Sequence, residues 1–181
     1  TGTNVVTGLL VISNAPLSGR YLIQPSGRLE LVGNAQKLFY DSHILNLGTL
    51  RWAEGTVGYD SSGAGSTFTN LGLWELAPSG TWAYSYSGPT PRIRNDGIIR
   101  KTSGAGTTAL SNLGFENAGQ VQVNQGRLNF QSTVGVVSGT FETAQGSTVA
   151  FVSASLTNSN PVSFTGSGKS LFESGNLWLG G

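Results

Sequence analysis

Apolar and polar residues alternate along most of the chain, and glycine interrupts the alternation at short intervals. After one series of glycines the second and fourth residues are mostly apolar: Tyr21/Ile23, Leu50/Trp52, Trp74/Leu76 and Val121/Val123. After a second series the same offsets hold Leu29/Leu31, Val57/Tyr59, Trp82/Tyr84, Leu128/Phe130 and Leu177/Leu179. A period of two predicts short strands buried on one side. No window shows a period of 3.6, and the glycines leave little room for a helix.

The strands recur as a unit. The segments ILNLGTLRW (44–52), FTNLGLWEL (68–76), IRNDGIIRK (93–101) and FENAGQVQV (115–123) align without gaps, so their asparagines Asn46, Asn70, Asn95 and Asn117 are 24, 25 and 22 residues apart. A second glycine follows the first by 7 or 8 residues in Gly48/Gly55, Gly72/Gly80, Gly97/Gly104 and Gly119/Gly126, with weaker copies at Gly19/Gly27, Gly139/Gly146 and Gly168/Gly175. A constant core with variable loops is the signature of a solenoid, in which each coil buries its apolar side only by stacking on the next. The expected fold is therefore all-β, a parallel β-helix of about seven coils with 20–29 residues per coil. It fills 1–181 as a single domain that reads as a segment of a longer chain, and its coil pattern is weakest over 1–43. A propeller needs about 40 residues per blade, and a sandwich has no reason for fixed internal spacing.

Stacking assigns roles to particular residues. Asn46, Asn70, Asn95 and Asn117 should form a column in which each amide donates to the next. Arg51, Glu75 and Arg100 fall at one outward offset on successive coils and should form a surface ladder of alternating sign. Leu73 and Ile98, at another outward offset, and Trp178 near the chain end are a possible interface. Lys101 sits at an inward offset, so it should either snorkel to an edge or mark a register shift somewhere within 98–112.

Composition limits the chemistry. Charged residues make up 10% of the 181 residues and the net charge is +1, so nucleic acid is not an expected partner. The exception to scattered charge is the group Arg92, Arg94, Arg100 and Lys101. There is no cysteine, and the acidic residues are spread singly, so no catalytic, metal-binding or cofactor-binding residue is assigned and no cofactor is expected. The only histidine, His43, reads as a turn or surface residue. GSGKS at 166–170 resembles the end of a phosphate loop, but Ser163 stands where the first glycine belongs and strand-like sequence follows instead of a helix. SGAGST (62–67) and SGAGTT (103–108) lack the aspartate of a calcium-binding roll and read as turns. Regular T-x-T ranks of an ice-binding face are absent. No apolar run is long enough to span a bilayer, and no basic start precedes TGTNVVTGLLVI, so any signal peptide lies outside this segment.

The stretches NDGIIRKTSGAGTT and FENAGQVQVNQGRLNF, within 93–151, resemble the Gly/Asn-rich repeats of large secreted bacterial β-helix proteins, the filamentous-haemagglutinin-like and autotransporter-passenger-like surface proteins. That resemblance implies a right-handed β-helix, secreted or displayed on a cell surface, with no catalytic residues to carry over. The function expected is a non-enzymatic extracellular stalk, adhesin segment or filament subunit. Its expected partners are neighbouring coils or further copies end to end, together with glycans or a host or cell surface. The alternatives are a carbohydrate-binding or polysaccharide-degrading β-helix working through Arg51, Glu75 and Arg100, and a phage or virus fibre segment.

Overall fold

The structure is a computed structural model that describes residues 2–60, 63, 65–84, 88–158 and 160–180. The described residues form 23 strands and no helix, and every pairing between strands is parallel. Each turn of the chain visits three faces in order, so the rod has a triangular cross-section. The first face is a sheet of eight strands running from Leu9–Ser13 through Leu73–Leu76 and Ile98–Lys101 to Val162–Gly166, which gives eight turns. The second face runs from the start of Leu17–Ile23 through the start of Lys37–Asn46, Gly80–Tyr84 and Arg127–Gln131 to Lys169–Phe172. The third runs from Thr3–Val6 through Thr67–Asn70, Arg92–Asn95, Gly114–Asn117 and Val134–Val137 to Gly175–Trp178. The long strand Lys37–Asn46 bends at Asp41 (φ 43°) and joins the second and third faces.

The alternation read from the sequence becomes columns of side chains. Leu29, Leu50, Trp74, Ile99, Val121 and Phe141 occupy one inward column of the first face, one per turn. All of them are fully buried in a single continuous core. The aromatic rings converge in the middle turns. Trp82 lies with ring centroids 4.9 Å from Trp74, 5.2 Å from Phe39 and 5.7 Å from Trp52, in edge-to-face geometry that favours such pairs. Toward the chain's C-terminal end phenylalanines take over, with Phe130 on Phe151 at 5.4 Å and Phe141 on Phe164 at 5.3 Å.

Glycine is required where one turn's corner presses on the next. A Cβ on Gly97 would fall inside the contact radius of Gly72 O, and one on Gly119 would strike Gly97 O. The same geometry corrects the phase of two outlying glycine pairs. Arg28 aligns with Thr49, so Gly27 stacks with Gly48 and belongs to the series that opens the first face. Gly168 opens the second face and Gly175 the third, so that pair is rotated by one face. In consequence Leu177 packs toward the core while Leu179 lies beyond the last strand and is 51% exposed. Residues 1–43, where the pattern is faintest, join the stack from Thr3 onward, with one register shift between Ser18 and Gly19 where the partner strand bulges at Asp41.

The ring cluster gives a direct test of the packing. Trp82→Ala removes the residue that touches the most rings, and it is expected to destabilise the fold by about 3–5 kcal/mol in urea unfolding. A loss below about 1 kcal/mol would mean that Trp82 is not inside a close-packed core.

Candidate functional site on the faces of the rod

The four asparagines are brought into one buried column at the corner between the third and first faces. Asn46 Nδ2 donates to Asn70 Oδ1, Asn70 Nδ2 to Asn95 Oδ1, and Asn95 Nδ2 to Asn117 Oδ1, each at 2.7 Å. The second amide hydrogen reaches a main-chain carbonyl of the next turn: Leu73 O at 2.9 Å, Ile98 O at 3.1 Å and Gln120 O at 3.2 Å. Asn117 ends the column by donating to Ser138 O at 2.6 Å, and Ser138 Oγ donates back to Asn117 O at 2.9 Å. Ile23 and Val137 occupy the positions before and after the column. At its start Asn46 Oδ1 meets no donor among the described residues.

On the first face Arg51, Glu75 and Arg100 are in-register neighbours. They do not pair with one another. Arg51 turns the other way to Glu30, 3.6 Å away, which Arg28 also approaches at 2.6 Å, while Arg100 donates to Gln122 at 2.7 Å. Among the described residues no ion pair closes on Glu75. The alternation of sign holds by register, but the contacts skip a turn because each long side chain chooses one of two neighbours. Such exposed pairs are worth about 0–1 kcal/mol. Leu73 and Ile98 are also neighbours, half-buried rather than exposed. Trp178 is 57% exposed but lies on the third face, so the three residues do not form one interface.

Lys101 takes neither of its two expected courses. The register is regular, with Lys101 between Leu76 and Val123, and its side chain is fully buried. The corner between the first and second faces turns its polar atoms inward to meet it: Lys101 Nζ donates to Ser103 O at 2.8 Å and to Thr108 Oγ1 at 2.9 Å. Lys37, which the sequence did not single out, is buried at the same corner and donates to Gly33 O and to Glu54 O. Burial pushes both ammonium groups below their ordinary pKa, and for Lys37 the charge of Glu54 opposes the shift.

The remaining feature is a groove on the third face. In four turns a single left-handed residue takes the chain from the second face to the third: Asp41, Asn112, Ser132 and Ser153, with φ between 43° and 56°. Between Tyr84 and Arg92 a longer segment replaces it, and Pro89 and Thr90 rise beside the sheet. The cavity they enclose is about 1080 Å³, with Arg92, Arg94, Gly114 and Glu116 on its floor. Arg94 is tied to Asp96 at 2.7 Å. Arg92 has no side-chain partner among the described residues, and its stem lies along Gly114, whose Cβ would be 3.3 Å from Arg92 Cγ. A smaller hollow of about 370 Å³ lined by Arg20 and His43 continues it along the face and shares Thr67 and Thr69 with it. His43 is thus an outward strand residue, its Nδ1 3.0 Å from Thr67 Oγ1. The four basic residues clustered in sequence are dispersed: Arg92 and Arg94 face the groove, Arg100 faces outward on the first face, and Lys101 is inside.

GSGKS forms the corner between the strands Val162–Gly166 and Lys169–Phe172, and no helix follows it. Of the two SGAG turns, SGAGTT leads into the strand Thr107–Ser111, while Ser62 and Ala64 of SGAGST lie outside the described residues. Among the described residues no three of His, Asp and Glu converge as a metal site, and no helix is long and apolar enough to cross a membrane.

Two outcomes test these placements. Asn95→Leu breaks the column on both sides and is expected to cost about 2–4 kcal/mol in urea unfolding, because it leaves a buried donor and a buried acceptor without partners. Asn46→Leu, at the end where one oxygen is already without a donor, should cost clearly less; equal losses would show that the amides do not act as a column. The second outcome concerns pH. Unfolded Lys101 binds its proton up to 10.5 and the folded chain gives it up earlier, so the unfolded state holds more protons across that window and stability rises with pH through it. Buried Tyr59, whose pKa is raised, reverses the trend above about pH 10. Lys101→Met should flatten the rise in unfolding free energy below that point; an unchanged slope would place the ammonium in water.

Comparison of the chain with family models, with curated proteins and with solved structures finds no match.

Proposed function

We propose that the chain is a non-enzymatic stretch of an extracellular or cell-surface structural β-solenoid, a stalk, adhesin segment or filament subunit whose task is rigid extension. The observation that carries this reading is the stack of eight parallel turns around one continuous core, a rod whose length comes from repetition. Phe164 and Phe172 continue the core columns of Phe141 and Phe151, which are buried, yet they are 42% and 38% exposed. At the other end Leu10 and Ile12 are half-buried above the fully buried Leu29 and Leu31. Each end is a cross-section of the core with open strand edges around it. Such a surface is complementary to another turn of the same kind. The resemblance of 93–151 to repeats of secreted bacterial surface proteins supports the extracellular placement.

The catalytic alternative has less to stand on. Its residues Arg51, Glu75 and Arg100 lie on the first face, outside both hollows, and two of the three are engaged by neighbours there. A fibre of three wrapped rods needs an outward apolar stripe along the whole length, and outward positions of the first face carry Glu30, Arg51, Glu75 and Arg100 instead.

The test is microscopy of the intact polypeptide that contains this chain. Antibody raised against the chain is expected to label unpermeabilised producer cells, and negative-stain images should show a rod. Labelling only after permeabilisation, or a compact particle, would overturn the reading. In light scattering the isolated chain is expected to associate with concentration, and Phe164→Lys combined with Phe172→Lys to weaken that association by about tenfold or more; association unaffected by this pair would place the contact elsewhere.

A further inference from the structure

We propose that the groove on the third face binds an acidic oligosaccharide, with Arg92 and Arg20 taking its carboxylates. The inference is separate from the stalk reading, since a rod can extend with or without a ligand on its flank.

The first argument is a contrast among the arginines, of which Arg94 in the groove is already held by Asp96. Arg28 and Arg51 are held by Glu30, Arg100 by Gln122, and Arg127 by Asn129 and Glu173. Arg20 and Arg92, both on the third face and both exposed, are the arginines whose guanidinium has no partner among the described residues. A guanidinium presents a planar fork of donors that matches a carboxylate bidentately, and its affinity is greatest where nothing on the protein already satisfies it.

The second argument is shape. The two hollows meet at Thr67 and Thr69 and together follow the strands from Thr3–Val6 to Val134–Val137. That is seven strands in a row, a channel roughly 29 Å long at the spacing of paired strands. A ligand lying along it must be extended. Gly114 keeps the floor open beside Arg92, where any side chain would narrow it. The inserted corner at Pro89 and Thr90 supplies the wall, so the groove is made by an insertion that the stack itself does not need.

The third argument is the rest of the lining. Hydroxyl and amide groups are set along a lining that is otherwise largely apolar, among them Thr67, Thr69, Thr90, Asn112 and Ser132, with the Tyr84 ring at one edge and the Glu116 carboxylate as an acceptor. These groups pair with sugar hydroxyls in both directions. An extended peptide is captured by adding a strand to a free sheet edge, and the floor strands Thr67–Asn70, Arg92–Asn95 and Gly114–Asn117 are hydrogen-bonded on both sides. A nucleic acid calls for a run of cations and stacking aromatics, which the groove does not provide.

The experiment is calorimetric titration of the chain with de-esterified oligogalacturonate, with its fully methyl-esterified form, and with polyglutamate. The expected result is binding of the first that weakens as salt is raised, with little binding of the other two. Arg92→Ala and Arg20→Ala are each expected to weaken it by about tenfold, and Gly114→Val to do so by filling the floor. Arg100→Ala, on the first face, should bind as the unaltered chain does. Circular dichroism melts establish that each variant is folded. The proposal is overturned if no oligogalacturonate binds, if the esterified form binds equally well, or if polyglutamate competes as strongly. It is equally overturned if folded Arg92→Ala and Gly114→Val bind like the parent.

Discussion

Each turn of this chain must lie flat on the one before it, in register, at the spacing of hydrogen-bonded strands. Everything else in the structure answers to that requirement. Register converts one position in the repeat into a column of side chains, so a residue is admitted only if it tolerates copies of its neighbours directly above and below. Aliphatic and aromatic groups do so by packing, as Leu50 on Trp74 and Trp74 on Ile99 show. An asparagine does so because its amide is donor and acceptor at once, and the 2.7 Å links from Asn46 to Asn117 use both ends. A lysine has no acceptor and cannot stack on itself. Lys37 and Lys101 accordingly occur singly, Lys37 satisfied by carbonyls of its own corner and the next, and Lys101 by the Ser103 carbonyl and the Thr108 hydroxyl. At the tightest corner the neighbouring carbonyl occupies the space a Cβ would need, and only glycine remains.

The same requirement separates the parts that can vary from those that cannot. A corner is joined to the stack only through the strands that flank it, so its length is free. The turn from second to third face is one left-handed residue in four places, a longer connection between Asp60 and Thr67, and a longer one again between Tyr84 and Arg92. The strands on either side of that loop keep perfect register with the turns before and after. An insertion there adds a wall without disturbing a ladder hydrogen bond. The hydrophobic core therefore sets the direction and stiffness of the rod, while its corners and outward columns set what the flank can hold. The groove is the place where both freedoms are used at once: a raised corner, and an outward column thinned to glycine at Gly114.

How much of this could be read beforehand follows from what each feature depends on. The parallel stack and the asparagine column depend on regular spacing along the chain, which the sequence displays from Asn46 to Asn117. The phase of Gly19/Gly27 and Gly168/Gly175 does not, because glycine serves at more than one corner and spacing alone cannot say which. Lys101 was misjudged because its inward offset was visible but the carbonyl of Ser103 and the hydroxyl of Thr108 that meet it depend on how the corner folds. The groove was missed for a related reason. Arg92, Arg94, Arg100 and Lys101 form one basic cluster in the sequence, yet a corner lies between Asn95 and Ile98, and the second pair leaves the face of the first. Register alone also failed to give the partners of Arg51 and Arg100. A long side chain between two in-register neighbours has a choice that spacing does not decide.

The columns also grade the rod along its axis. The asparagine column spans only the middle turns and is bounded by Ile23 on one side and Val137 on the other, so apolar groups take over its corner where the amides stop. The ring cluster around Trp82 lies in the same middle turns. In a stack where each turn touches only its neighbours, stability is close to a sum of turn and interface contributions. Directional hydrogen bonds and large rings concentrated in these turns make them the last to open. Stiffness in the middle is then a consequence of the same columnar order that buries the core.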